Sequence, residues 1–333
     1  MSSRGFWFCL VLAAAALQGC SEAPVRPDSS PPPASALDAD FVLVQAASGD
    51  TPALLAERFL GDRSKGFWIA EQNGRDAFEP GQIIVIPLRA LNPGGVHADG
   101  YQAIPILCYH RFGPRASPLT VTAATFEAQM DWLARNGYTV IPLSRLAAFL
   151  RGAEPLPKRS VAITIDDGYR STWEIAYPIL GRYGFPATLF LYSDFVGARD
   201  ALNWAQMKDM QASGLIDIQP HSKTHANLAL RLAGETDGQY RDRIRREVEA
   251  PVNALRDRLS IASTTFAYPY GDVNDVVIGE LQRRSVVQGV TVTAGGNGSF
   301  AHPFLLRRSM VFGTDSLDAF RAKLVTFVPV GSR

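Results

Sequence analysis

From Gln102 onward the chain alternates short, continuously apolar runs with stretches of helical character. The clearest runs cover residues 104–109, 161–165, 187–191, 215–218, 264–267 and 286–291. Runs without polar alternation are typical of strands that are buried on both faces, as in parallel sheets covered by helices. The pattern therefore predicts an α/β domain over residues 102–328, built on a parallel sheet or barrel.

Two polar motifs directly follow two of these runs. Asp166 and Asp167 come after the second run, and His221 and His225 come after the fourth. α/β proteins place their sites at the carboxyl ends of such strands. Histidines four residues apart on a helical turn lie on one side of it. Two imidazoles and one carboxylate can form an open site for a divalent metal, which leaves room for water and substrate.

Each motif also has a structural interpretation. The histidine pair could cap a helix or lie on the surface, and Asp-Asp-Gly could be a turn in which Gly168 supplies a positive φ. The presence of both motifs in one domain indicates a metal site more specifically than either motif alone. Of the remaining histidines, His97 lies in a predicted linker, His302 is expected in a loop, and His110 directly follows the first apolar run.

Three motifs occur in an order that resembles the polysaccharide deacetylase family. They are Thr-Ile-Asp-Asp-Gly at 164–168, His-Ser-Lys-Thr-His at 221–225 and Ala-Tyr-Pro-Tyr-Gly at 267–271. The resemblance covers nearly all of residues 102–328. It implies an irregular (β/α) barrel with fewer than eight complete units and a metal-dependent hydrolysis of N-acetyl groups on a glycan.

The resemblance also assigns roles to residues of this chain. Asp166 becomes the general base, and one divalent ion is held by Asp167, His221 and His225. Zinc is the first choice for that ion, although such a ligand set accepts several divalent metals. Pro269 and Tyr270 line the substrate groove, and the backbone amide of Tyr270 helps to hold the oxyanion.

The chain departs from the family pattern at two positions. Ala267 stands where an arginine often braces the base, and residues 305–308 lack the histidine that usually serves as the acid. A branch that includes poly-N-acetylglucosamine deacetylases instead carries a Tyr-His near the start of the domain and a Tyr-Pro-Tyr-Gly motif, and this chain matches both. On this resemblance His110 is the general acid, with a structural histidine as the alternative. The sequence identifies no replacement for the arginine brace.

Three further residues carry expectations of their own. Trp204 either stacks on a sugar ring or packs in the core. Cys108, inside a strand, is expected to be a small buried hydrophobe. Residues 241–259 have apolar positions at helical spacing, and the Arg, Asp and Glu residues of that helix are expected to face solvent.

The first 40 residues resemble a secretion signal followed by an extended tether. Residues 1–19 contain an uncharged apolar run after Arg4 that is too short to span a bilayer comfortably, which is typical of a signal peptide. The sequence Leu-Gln-Gly-Cys at 17–20 resembles a bacterial lipobox, which implies acylation of Cys20 and a membrane anchor. Ser21 after it favours the outer membrane, facing the periplasm. The alternative is an ordinary signal peptide with an incidental cysteine. Residues 20–40 are proline-rich and are expected to form an extended tether.

Residues 41–88 form a separate small unit. Gly-Asp-Thr at 49–51, Asn73, Pro-Gly-Gln at 80–82 and Ile-Pro at 86–87 resemble a LysM module. That resemblance implies a βααβ fold that binds N-acetylglucosamine-containing glycans such as peptidoglycan. A small α+β spacer is the alternative. Residues 89–101, with Asn-Pro-Gly-Gly at 92–95, are the expected linker to the large domain.

The charge balance argues against a nucleic-acid partner. Lys and Arg number 33 against 32 Asp and Glu, so the net charge of +1 supplies no strong field. The expected function is N-deacetylation of an N-acetylglucosamine polysaccharide of the cell envelope. The alternatives are a catalytically impaired glycan-binding lipoprotein and a metal-dependent amidase with another substrate.

Overall fold

The computed structural model describes residues 35–36 and 39–331. The predicted signal peptide, Cys20 and nearly all of the predicted tether therefore lie outside the described residues. Among the described residues, no helix is both long enough and apolar enough to cross a bilayer.

The centre of the large domain is a parallel sheet. Its strands lie in the order Ile216–Pro220, Ala187–Leu191, Ser160–Ile165 and Ile104–Tyr109. Every residue of Ser160–Ile165, hereafter the central strand, and of Ile104–Tyr109 is buried, as the continuous apolar runs predicted. Ile165 pairs with Tyr109, so these two strands end side by side.

Shorter strands continue the sheet into an irregular ring. Ser309–Met310 pairs with the outer edge of Ile104–Tyr109, and Thr265–Ala267 pairs with Gln288–Val290. Val290 also forms a bridge with Leu306, three residues before Ser309–Met310, and this bridge links the two pairs. The remaining gap is spanned by the Gln219 side chain, whose Oε1 accepts hydrogen bonds from the backbone N–H groups of residues 264 and 265. The structure is therefore the irregular barrel that the resemblance implied.

Three short strand pairings flank the ring. Thr139–Val140 pairs with the central strand, Gly296–Asn297 lies antiparallel to Ile104–Tyr109, and Arg111–Phe112 pairs with Thr120–Val121.

Alternate residues of each strand face the inside of the ring. Ile104, Ile106 and Ala162 belong to an interior cluster, whereas Leu107 and Ile163 pack in the larger cluster outside. Because side chains alternate along a strand, the interior set continues through residues 108 and 110 on one strand and through 164 and 166 on the next. The strand period therefore directs Asp166 and His110 toward the same end of the barrel interior.

Helices cover the outside of the ring. They are Ala123–Arg135, Leu146–Leu150, Tyr177–Tyr183, Trp204–Ala212, Asp237–Leu259, Asp275–Arg283 and Leu317–Arg321. A π-helical turn, Thr172–Ala176, and 3₁₀ turns at Leu143–Arg145, Ser193–Phe195 and Pro269–Gly271 complete the set. The longest helix begins four residues before the predicted start, because Thr236 and Gln239 form a capping box there.

Residues 41–88 fold as strand, helix, helix, strand. The strands Phe41–Gln45 and Ile83–Pro87 are antiparallel, with Leu43 opposite Val85, and Ser35–Ala36 adds to their edge. The helices are Pro52–Leu60 and Gly66–Asn73, separated by the 3₁₀ turn Arg63–Lys65. We call this unit the small module.

The small module contacts the barrel at the amino ends of the barrel strands. Glu71 Oε1 accepts a 3.0 Å hydrogen bond from the backbone N–H of Lys158, two residues before the central strand. The segment expected as a linker contains two strands, Val96–His97 and Gly100–Gln102, which form a sheet with Phe327–Pro329. The small module is therefore at the opposite end of the barrel from the carboxyl ends of the strands.

Candidate active site

The carboxyl ends of two adjacent strands bring the proposed base and acid together. Asp166, after the central strand, is 1% exposed. Ligand-type atoms of Cys108, His110 and Asp166 all lie within 4.8 Å of one another. The Cys108 thiol is 3.5 Å from Asp166 Oδ2 and can donate to it, so this buried cysteine also contacts the site.

Asp167, His221 and His225 form a second cluster beside the first. Asp167 Oδ1 is 3.3 Å from His225 Nε2 and 3.6 Å from His221 Nε2. Bonds of 2.0–2.2 Å at tetrahedral angles place ligand atoms about 3.3–3.6 Å apart. Asp167 Oδ1 is also buried without a hydrogen-bond partner among the described residues. These distances and this unpaired oxygen fit a divalent metal ion.

The hydrogen bonding of His221 prepares its other nitrogen for a metal. His221 Nδ1 lies 2.8 Å from the carbonyl oxygen of Ala267, and because a carbonyl only accepts, Nδ1 carries the proton. Nε2 is then free to coordinate, as in metal sites whose second nitrogen is held by the protein. Burial lowers the pKa of His221 against the opposing charges of Asp166 and Asp167, so the imidazole is neutral at neutral pH.

The loop of the histidines adopts an unfavourable backbone conformation. Ser222 and His225 have φ values of 72° and 63°, in the left-handed region that side chains other than glycine rarely adopt. Glu247 holds this loop: its Oε2 accepts the N–H groups of Lys223 and Thr224 at 3.1 and 2.9 Å, and its Oε1 accepts the Thr224 hydroxyl at 2.8 Å. The expectation that all charged residues of this helix face solvent was wrong for Glu247, which is 6% exposed.

Arg308 braces Asp166, the proposed base. Its Nη1 and Nη2 donate to the two carboxylate oxygens of Asp166 at 2.7 and 2.8 Å. Arg308 is fully buried, and its Nε donates to the carbonyl of Thr291 at 2.8 Å. Burial alone would raise the pKa of Asp166, but the charge of Arg308, together with His221 and the arginine hydrogen bonds, holds that pKa well below its usual range. A different part of the chain thus supplies the brace that is missing at Ala267.

Weak sequence signals existed for both supporting residues. Arg308 follows the apolar residues 304–306 and precedes Met310, so a charge there had to be paired or exposed. Glu247 lies three residues after Ile244 and one before Val248, on the apolar face of its helix. Neither signal indicates which residue the charged side chain contacts.

Aromatic side chains surround His225. Tyr192 and Tyr270 have ring centroids 5.2 and 5.0 Å from the imidazole, and Tyr192 stacks on Phe195 at 5.1 Å. Tyr270, with φ 63°, is 62% exposed, whereas Pro269 is buried. Trp204 packs against the larger hydrophobic cluster outside the ring, the one that contains Leu107 and Ile163. Contacts of Tyr270, Pro269 and Trp204 with substrate stay predictions.

Comparison with known sequences finds a consistent set of relatives. The sequence profile of the family described as "Polysaccharide deacetylase" matches residues 153–287. The poly-beta-1,6-N-acetyl-D-glucosamine N-deacetylase of Escherichia coli K12 is 24% identical over 243 residues, which are 62% of this chain and 36% of that protein. The enzyme of the same name from Staphylococcus aureus MRSA252 is 26% identical over 178 residues, 52% of this chain and 61% of that protein. This chain thus spans about a third and about three fifths of these two relatives.

Two solved structures share the fold. IcaB from Ammonifex degensii superposes with a TM-score of 0.61 at 26% identity, covering 68% of this chain and 98% of IcaB. The Streptococcus pyogenes deacetylase PplD, in complex with acetate, superposes with a TM-score of 0.61 at 24% identity. The superposition covers 67% of this chain and 98% of the PplD chain.

A further relative is matched over most of its length. The putative polysaccharide deacetylase YxkH of Bacillus subtilis 168 is 32% identical over 220 residues, which are 66% of this chain and 75% of YxkH. With this degree of identity over the domain that carries the site, the chain belongs to the polysaccharide deacetylase family.

Proposed function

We propose that this protein removes acetyl groups from an N-acetylglucosamine polysaccharide by metal-dependent hydrolysis. The observation that carries the proposal is the pairing of a buried, arginine-braced carboxylate with a preformed ligand trio. His221 Nε2 lies 3.9 Å from Asp166 Oδ2 and 3.6 Å from Asp167 Oδ1, so base and ligands share one site. Arg308 supplies the brace whose absence at Ala267 was one of the two grounds for a catalytically impaired protein, the other being the missing late histidine.

The chemistry follows from the residues of the site. Asp167, His221 and His225 would hold the metal, which supplies Lewis-acid polarisation of the acetamide carbonyl and lowers the pKa of a water molecule. Asp166 accepts the proton of the attacking water, with its two oxygens oriented by Arg308. The Tyr270 backbone amide is placed in the oxyanion role by the resemblance, and the left-handed backbone at Tyr270 is an unusual conformation of the kind found at functional sites.

His110 is proposed to protonate the leaving amine. It follows the strand adjacent to that of Asp166 and belongs to the same cluster of atoms. His110→Ala should keep the metal and slow amide cleavage by about 10²–10⁴-fold, the usual range of general acid catalysis. An activated acetyl ester needs no protonation of its leaving group and should be slowed less. Equal slowing of ester and amide would remove His110 from the acid role.

The substrate proposal rests on the relatives and on the small module. Two relatives are named as poly-beta-1,6-N-acetyl-D-glucosamine N-deacetylases. The small module has the strand and helix order implied by its LysM resemblance, and we propose that it binds N-acetylglucosamine-containing glycans such as peptidoglycan. Acylation of Cys20 would attach the protein to the outer membrane, facing the periplasm. Unchanged membrane association of Cys20→Ser would contradict this anchor.

The deciding experiment measures acetate release. The purified protein should release acetate from poly-β-1,6-N-acetylglucosamine or from peptidoglycan, and a chelator should abolish the release until a divalent metal is restored. His221→Ala should lose both bound metal and activity, because it removes a ligand. Full metal occupancy in His221→Ala would contradict the ligand assignment. Activity on a small amide but on neither polymer would favour the alternative amidase.

A further inference from the structure

A large groove lies between the small module and the amino end of the barrel. Its volume is about 620 Å³, and none of the residues assigned to the catalytic site line it. Phe67, Trp68 and Glu71 line it from the module side, and His97, Arg159 and Phe327 line it from the barrel side. No role has been assigned to these side chains by the site described above.

The lining combines aromatic and charged side chains. Phe67 and Trp68 meet edge to face at 6.4 Å, and His97 and Phe327 lie 6.1 Å apart. Phe327 is 39% exposed.

We propose that this groove binds a segment of an N-acetylglucosamine polymer, an inference that rests on the proposed glycan substrate. Its volume falls within the 300–1,000 Å³ that is usual for small-ligand sites, and domain interfaces are common places for such sites. The aromatic faces pack against the apolar C–H faces of sugar rings. Glu71 Oε2 and the Arg159 N–H groups that do not donate to the carbonyl oxygen of Asn136 bind hydroxyl groups.

The location of the groove separates binding from catalysis. Arg159 immediately precedes the central strand, and Asp166 immediately follows it. Six residues at about 3.3 Å each place the two ends about 20 Å apart. One sugar therefore cannot occupy both places, whereas a long polymer can engage both and gain affinity from the second contact. Short oligomers should bind at two independent sites.

The test uses the full chain carrying His110→Ala, to slow turnover, and a β-1,6-linked N-acetylglucosamine trimer as the probe. Calorimetric titration with the β-1,6-linked trimer, which is too short to bridge the two ends of the central strand, should show two trimers bound per chain. Phe327→Ala should weaken one of the two by about tenfold, and Glu71→Gln should weaken the same one. Phe300→Ala is the matched control, because Phe300 is exposed and does not line the groove. It should leave both affinities unchanged.

Unchanged affinities in both Phe327→Ala and Glu71→Gln would overturn the proposal. A second binding event that appears only after removal of residues 1–34 would assign the groove to that segment and would also overturn the proposal. Acetate release by the wild-type chain separates this inference from the proposed function. Release without any effect of Phe327→Ala on binding contradicts the groove alone, and a Phe327-dependent site without release contradicts the deacetylase proposal alone.

Discussion

The two loops of the candidate active site are supported by partners of opposite charge. The loop at Asp166 and Asp167 is held by the Arg308 guanidinium, which contacts the Asp166 carboxylate directly. The loop at 221–225 is held by the Glu247 carboxylate, which contacts backbone N–H groups and a threonine hydroxyl but neither histidine side chain. The first partner acts on the charge of the proposed base, and the second acts only on the shape of the proposed metal-binding loop. Substitutions should therefore separate catalysis from metal binding.

The largest effect is expected for Asp166→Asn. The amide cannot accept the proton of water, so the rate constant for acetate release should fall by about 10²–10⁴-fold. Metal content should be retained, because Asp167, His221 and His225 are unchanged. Turnover rates and elemental analysis of the purified variant check both expectations. A variant that loses its metal would show that Asp166 is a ligand and not the base.

Among substitutions of the two supporting residues, Arg308→Met should lower the free energy of unfolding the most. It leaves the Asp166 carboxylate buried without its partner, which costs about 3–5 kcal/mol in comparable buried pairs. The free energy of unfolding from urea titration measures the loss. Arg307→Met is the matched control, since Arg307 is exposed and adjacent.

The double variant Asp166→Asn with Arg308→Met sharpens this prediction. It removes both charges and should recover most of the stability without recovering activity. A double variant as unstable as the sum of the two single variants would mean that the two side chains contribute independently.

Glu247→Ala should lower metal affinity and leave the base in place. Residues that orient metal ligands from outside the first coordination sphere typically contribute about 10–100-fold to affinity. Glu247→Gln should retain most of it, because its amide oxygen can still accept the two backbone N–H groups. Competition with a chromophoric chelator measures the affinity. Glu249→Ala, on the same helix and paired with Arg284, is the control and should bind metal normally.

The smallest effect is expected for an arginine–carboxylate pair outside the site. Hydrogen bonds from Arg243 lower the pKa of Glu235 to about 2, from an ordinary value of 4.5. A lowered pKa in the folded state stabilises the protein above pH 4.5, and this contribution is lost as the pH falls through about 2. The melting temperatures of wild type and Glu235→Gln should therefore differ at pH 7 and converge toward pH 2. A constant difference across that range would contradict the ionic origin of the effect, and acetate release should be unaffected.

Most of the barrel could be predicted from local sequence. The runs 104–109 and 187–191 match observed strands at both ends, and the strand at residues 160–165 begins one residue earlier than predicted. These runs were readable because strands buried on both faces contain few polar residues. Two-residue strands, such as those at 296–297 and 309–310, were not predicted, because two residues are too few to show an alternating pattern.

The supports of the site could not be predicted in the same way. Arg308 lies 142 residues from Asp166, and Glu247 lies 24 residues from Lys223. Local patterns constrain neighbours within a few residues, whereas these contacts depend on how the ring of strands closes and where the long helix packs.

The sequence by itself determined the chemical groups and the end of the barrel at which they gather. Asp166, Asp167, His221 and His225 follow buried strands, and the alternation of side chains directs Asp166 and His110 inward. Only the tertiary structure decided how the two adjacent aspartates differ. Closure of the ring brings Arg308 against Asp166 and leaves Asp167 Oδ1 without a hydrogen-bond partner among the described residues. The physical reason is that a buried charge needs an opposite charge nearby, and in this fold that partner comes from the far end of the chain.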